Sequence, residues 1–346
     1  MIKRVIPVAA TAVVALSLAG CGLGKKTSTS TIFAMDTIME FNIEGEESLL
    51  RDSEEMIRNL ESELSVTDEN SAIAKLNKEK KAQFSESGTE LISTALNICD
   101  KTGGALDITV YPVLRDWGFT TGDYKVPTDS EIEGLLAGVD YSKVTVEGND
   151  VSVPGDVLVD LGSVAKGYAG HKVSEYLRGK GVTSGLINLG GNVECIGSKR
   201  GGKPWKVAIK SPFDDSVSGV LGVLDASDVA VITSGGYERF FEENGEKYWH
   251  IIDPKTGKPA KSGLISVTVI GKDGTICDGL STALFVMGEK SAEEFYKKYG
   301  SGENGIAAFD LIMVTDDKKV YVTKGVSAAF SLSSEYVNSD ITVIGG

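Results

Sequence analysis

The sequence predicts an α+β fold. It reads as a single compact body of mixed or antiparallel sheet with packed helices, helix-rich in its N-terminal half and strand-rich in its C-terminal half. Three observations predict this. Apolar residues at Leu49, Leu50, Met56, Ile57, Leu60 and Leu64 recur at helical spacing. From Lys143 onward the texture changes to short β-branched runs punctuated by glycine. No long linker, internal repeat or low-complexity tract follows residue 31, and 346 residues are enough for one large core.

In chain order, Lys3 and Arg4 precede an apolar run from Val5 to Leu18 and the ending Leu18-Ala19-Gly20-Cys21, the pattern of a secretory signal over residues 1–20. The run is shorter than the about 20 apolar residues that a membrane span takes. Residues 21–31, small and polar after the cysteine, read as a flexible tether, and 32–346 as one domain. Helices follow over 46–65 and 89–102, the second closed by Gly103-Gly104, and a short third starts at Pro127-Thr128-Asp129. Strands are expected over 144–146, 151–153 and 157–161, then a helix over 163–178 that stops at Gly179 and Gly181. Further strands are expected over 186–189, 193–196, 205–209, 220–224 and 229–233. Asn244-Gly245, between 237–242 and 247–252, signals a hairpin. Strands over 265–270, 306–309, 311–315 and 320–323, with helices over 278–287 and 291–299, complete the chain.

The formal charge is -14, and loss of residues 1–20, which carry two basic residues and no acidic one, leaves -16. Nucleic acid is disfavoured, because its binding runs on Lys and Arg contacts to phosphate. An anionic ligand then needs a local device: a metal ion, a helix N-terminus or a placed lysine. Cys99, Cys195 and Cys277 lack C-x-x-C spacing, so they read as buried small hydrophobes rather than a disulfide or zinc set.

Chemistry concentrates in a few phrases. Asp278 and Thr282 stand at i and i+4 on one helical face with Ser281 beside them, hard oxygen donors suited to Mg²⁺. The alternative on spacing is that Asp278 only caps the helix. Asp160 to Tyr168, with Ser163 and Lys166, joins a strand to a helix and presents backbone N–H groups to an anion, or is a plain connection. Asn188-Leu189-Gly190-Gly191 and Thr233-Ser234-Gly235-Gly236 end strands in glycine, which permits close backbone approach. His171 reads as a solvated helix residue. His250, before the Asp253-Pro254-Lys255-Thr256-Gly257 turn, suits a general base at neutral pH, or a structural role.

Taken together and in order, these phrases resemble the ApbE family, the FAD:protein FMN transferases. The resemblance begins at Ala34-Met35-Asp36-Thr37 and continues through Leu106–Val110, Trp117-Gly118-Phe119 and 160–168. It then runs through 188–191, 233–239, 250–257 and 278–285, covering essentially the whole chain after the leader. It implies Mg²⁺-dependent transfer of the FMN half of FAD to a Thr or Ser hydroxyl of an acceptor protein, with release of AMP. It also implies that Met35 and the segment Ala105, Leu106, Asp107 line the flavin site, and that Asp160, Lys166 and Ile252 contact FAD. Asp278, Ser281 and Thr282 would hold the metal with Ser163 nearby, and His250 falls on the family's base. The leader resembles a lipobox, so Cys21 would be lipidated and the enzyme anchored outside the cytoplasm by lipid alone; an ordinary secretory signal is the alternative.

Two departures stand out. Many relatives carry Ser-Thr-Tyr where this chain has Ser65-Val66-Thr67, so the ring that would stack on the flavin must come from elsewhere, such as Tyr111, or be absent. Some have a second carboxylate where this chain has Ser281, which leaves one or two metal ions open. The acceptors carry a phrase like Asp-Gly-x-Ser/Thr-Gly/Ser-Ala-Thr/Ser; 278–284 imitates it but ends in Leu284, so no self-flavinylation is expected there. An FAD pyrophosphatase giving FMN and AMP, and a non-catalytic flavin-binding lipoprotein, are the competing readings.

Overall fold

Among the described residues, nine strands lie in the main sheet in the order in which the chain makes them. In the computed structural model, which describes residues 26–337, 339 and 341–345, these are β1 (Thr27–Ala34), β2 (Thr37–Glu44), β3 (Ser184–Leu189), β4 (Asn192–Gly197), β5 (Ala230–Gly235), β6 (Leu264–Gly271), β7 (Phe309–Thr315), β8 (Val320–Thr323) and β9 (Ile341–Ile344). Every neighbouring pair is antiparallel except β8 and β9.

The central strands β6 and β7 are covered on both faces and read as nearly continuous apolar runs, whereas β1 and β2 alternate. On β7, Leu311 and Met313 enter the larger core while Ile312 and Val314 enter a second core on the opposite face. Helices α1 (Glu47–Leu64), α2 (Glu86–Lys101), α3 (Ala165–Gly179) and α4 (Gly274–Met287) contribute to the larger core. The second core is closed by a three-stranded sheet of Trp205–Lys210, Val220–Ala226 and Phe330–Leu332. A third cluster joins Val113, Trp117, Phe119, Ile132, Phe241 and Ile252 beneath the hairpin Phe240–Glu243/Glu246–Trp249. That hairpin turns at Asn244-Gly245 as expected, both residues having positive φ.

Helix α4 is buried on nearly all sides. Each fully buried leucine there, such as Leu280 and Leu284 at 0% exposure, contributes roughly 1.5–3 kcal/mol. A helix this apolar all round belongs in the interior.

The structure corrects several expectations. The tether cannot extend to residue 31, because Thr27 to Ala34 pair with Thr37 to Glu44 as a strand; alternating β-branched residues favour that pairing. The leader and Cys21 lie outside the described residues. Residues 157–161 form no strand, because Val159 is bonded on both its N–H and its C=O by the Asn77 side-chain amide instead of by a neighbouring strand. In the expected strand 306–309 only Phe309 is extended. Helices Ala72–Glu79 and Tyr111–Asp116 and the last two strands, Phe330–Leu332 and β9, were not anticipated.

Candidate active site

Asp278 does not cap its helix. Helix α4 begins four residues earlier, and Asp273 takes the capping role, its Oδ1 accepting from the N–H groups of Thr275 at 2.8 Å and Ile276 at 3.1 Å. Asp278 is therefore carried into the interior, where it is 7% exposed. Its burial depends on Gly167, at which α3 crosses α4. A Cβ there would run into the Gly274 carbonyl oxygen and lie 2.5 Å from Asp278 Cβ. The Gly167 N–H donates to Asp278 Oδ2 at 2.7 Å, so this first-turn amide serves the carboxylate rather than a substrate anion. Burial pushes the Asp278 carboxyl up to about 6, against the pull of Lys166 and the Gly167 amide.

A residue with no local sequence signal completes this corner. Ser234, near the end of β5, lies 2.7 Å from Ser281 Oγ and 3.2 Å from Thr282 Oγ1. The glycines are the local signal in the Thr233–Gly236 phrase, and nothing in it says that its serine meets a helix residue 47 positions away. Ser281 is fully buried, and its hydroxyl donates to the Asp278 carbonyl at 2.8 Å. Ser163 is half-buried in the turn that leads into α3. Among the described residues no three His, Cys, Asp or Glu side chains are grouped to hold a metal. One buried carboxylate with hydroxyls is nevertheless a fitting donor set for a hard cation that keeps waters and takes phosphate oxygens.

His250 follows the second strand of the hairpin. Its backbone N–H donates to the Arg239 carbonyl at 3.1 Å, and Nδ1 lies 3.2 Å from the same oxygen. A carbonyl only accepts, so Nδ1 carries the proton and Nε2 is left as a free acceptor. Phe119 meets the imidazole edge-on at 6.3 Å, and the Arg239 guanidinium donates to the Phe119 carbonyl at 2.6 Å. Burial, then the positive charges of Arg239 and Lys166, hold the imidazole down at about 3. The imidazole is neutral throughout the physiological range.

Lys166 links these groups, since its charge acts on Asp160, His250 and Asp278 alike. Asp160 is raised by burial, and its Oδ1 accepts from Gly162 N at 2.6 Å. Met35 and Asp36 form the β1–β2 turn with φ of 47° and 57°, a left-handed conformation costly for a methionine. The turn is held by the Met35 N–H donating to Glu61 Oε1 at 2.6 Å. Gly190 lies against Thr37, which brings the 188–191 phrase beside Met35. Ala105, Leu106 and Asp107 are all buried; the Asp107 carboxylate is spent on the Thr109 N–H and hydroxyl and the Tyr141 N–H, which leaves backbone for any ligand contact. Ile252 is buried in the third cluster. Tyr111 is only 7% exposed, so its ring offers no open face, and Thr67 lies exposed. His171 is half-buried rather than solvated. Cys99, Cys195 and Cys277 are free and buried, as expected.

Every residue placed here lies between 35 and 308, the span over which the chain matches the family model described as ApbE family. The chain belongs to the ApbE family. This ApbE-family chain is 33% identical over 267 residues to the FAD:protein FMN transferase of Vibrio cholerae, a match covering 75% of this chain and 79% of that one. It is 31% identical over 347 residues to the Haemophilus influenzae protein of the same name, covering 95% and 96%. Its fold is similar to that of the ApbE protein from Thermotoga maritima, with a TM-score of 0.79, 31% identity and coverage of 87% and 98%. The flavin transferase ApbE from Vibrio cholerae matches with a TM-score of 0.74, 28% identity and coverage of 86% and 98%.

Proposed function

We propose that this enzyme transfers the FMN half of FAD to a Thr or Ser hydroxyl of an acceptor protein, releasing AMP, with Mg²⁺ as the metal. The observation that carries the reading is His250, a half-buried imidazole kept neutral, with Nδ1 tied to the Arg239 carbonyl and Nε2 unengaged. A carrier has no use for such a base. In the reaction the acceptor oxygen forms a bond to the FMN phosphorus, the diphosphate bridge breaks, AMP departs with the bridging oxygen, and His250 Nε2 takes the hydroxyl proton. Asp278 and Thr282 would hold Mg²⁺, with Ser163 nearby. Bound there, the ion would supply charge neutralisation on the diphosphate. Lys166 adds a fixed positive charge, which lets a chain of net charge -14 hold an anion.

Full-length protein incubated with FAD, Mg²⁺ and a peptide bearing the Asp-Gly-x-Ser/Thr-Gly/Ser-Ala-Thr/Ser phrase should add one FMN mass to the peptide and release AMP in equal amount. Free FMN with an unmodified peptide would instead favour the pyrophosphatase reading. The segment 278–284 itself is the interior of a buried helix, with Ser281 at 0% exposure, which supports its not being an acceptor. We also place the enzyme outside the cytoplasm, anchored through lipidated Cys21. Cys21→Ser should move it from the membrane to the soluble fraction, and unchanged membrane association would sink that assignment.

A further inference from the structure

We infer that Ser234 and Ser281 are positioning residues that preset Thr282 to receive a cation through a one-way chain of hydroxyl hydrogen bonds. The inference rests on the metal reading above and extends it to two side chains that need not touch the ion.

A serine or threonine hydroxyl has one proton to give. Ser281 gives its proton to the Asp278 carbonyl oxygen at 2.8 Å, which can only accept. In the 2.7 Å contact between Ser281 and Ser234, Ser281 must therefore accept and Ser234 donate. The Ser234 proton is now committed as well. In the 3.2 Å contact between Ser234 and Thr282, Thr282 must donate. The chain thus runs Thr282 to Ser234 to Ser281 to the Asp278 carbonyl. Its consequence falls on the first member: the Thr282 proton is turned toward β5, and the lone pairs of Oγ1 receive no donor in this chain. Ser281, fully buried, acts only through Ser234. The same peptide unit that ends the relay belongs to Asp278, whose carboxylate is fixed separately by Gly167.

The direction of the chain makes a prediction that simple proximity does not. Removing the Ser281 hydroxyl releases the Ser234 proton to Thr282, which consumes a lone pair and turns the Thr282 proton toward the cation. Mn²⁺, a hard surrogate for Mg²⁺, can be titrated into the full-length protein without FAD, followed by calorimetry or electron paramagnetic resonance. Ser234→Ala and Ser281→Ala should each weaken Mn²⁺ binding about tenfold or more, the range found for groups that orient metal ligands. Ser234→Thr, which keeps the hydroxyl, should hold near-wild-type affinity, and melting temperatures identify any variant that is merely misfolded. Ser281→Ala binding Mn²⁺ as tightly as wild type while Ser234→Ala is weakened would overturn the direction of the chain; both binding at wild-type affinity would overturn the chain altogether. A wild-type protein that takes up no Mn²⁺, or an Asp278→Ala variant that binds it undiminished, overturns the metal reading itself, a result distinct from either.

Discussion

His250→Ala should lower FMN transfer by about 10²–10⁴-fold, the usual worth of a positioned general base, while FAD still binds. The pH profile makes the expectation sharper. Because burial and the charges of Arg239 and Lys166 hold the imidazole neutral down to about 3, its titration contributes no acid limb near the ordinary histidine value of about 6.5. Asp278, raised to about 6 by burial, is protonated below that value, and a neutral carboxyl loses its attraction for a cation. At fixed, subsaturating Mg²⁺, transfer should fall as pH drops through about 6. That limb should survive in the residual activity of His250→Ala, since it belongs to another residue. Rates measured from pH 5 to 8 on both proteins decide the matter: a variant with wild-type turnover removes His250 from the chemistry, and a limb lost with His250 assigns it to the imidazole.

Gly167→Ala should destabilise the fold by about 3 kcal/mol, the upper end for an overpacked core. It should cost far more activity than that loss alone explains. The added methyl meets the backbone of α4, at Gly274, rather than the end of a flexible side chain, so the two helices must part. Separation breaks the 2.7 Å bond from the Gly167 amide to Asp278, and the carboxylate loses its orientation. Thermal melts paired with transfer assays at a temperature where the variant is folded test this. Wild-type activity in the folded variant would show that the helix crossing does not set the carboxylate.

The parts of the fold legible in the sequence are those whose signal is local. Asn244-Gly245 announces its turn because both residues accept positive φ, and the stripe in 46–65 needs only helical spacing. The first hairpin escaped because its turn is Met35-Asp36, a pair that carries no turn signal. It is held in a left-handed conformation by Glu61 from α1 and by the close fit of Gly190 against Thr37. Residues 157–161 look like a strand, yet the partner of Val159 is the Asn77 amide, 82 positions away. At the site, Asp278 and Thr282 were visible through i, i+4 spacing. The true helix start was hidden by Gly274, a poor helix former, and Ser234 by its distance along the chain. Chemistry shared within one element is readable; chemistry assembled between elements is not.

The early start of β1 has a consequence for where this enzyme works. With Cys21 lipidated as proposed, only the five residues from Gly22 to Lys26 stand between the lipid and Thr27. Whatever path they take, the six Cα–Cα steps from Cys21 to Thr27 reach no more than about 22 Å, and the eight steps from Thr27 along β1 to Met35 add about 27 Å. Met35 at the tip of that hairpin could then lie no further than about 50 Å from the anchored cysteine. So anchored, the enzyme would be leashed to a thin layer above the bilayer, and an acceptor would have to bring its hydroxyl into that layer. Selection of clients would then begin with geography, before any recognition of sequence.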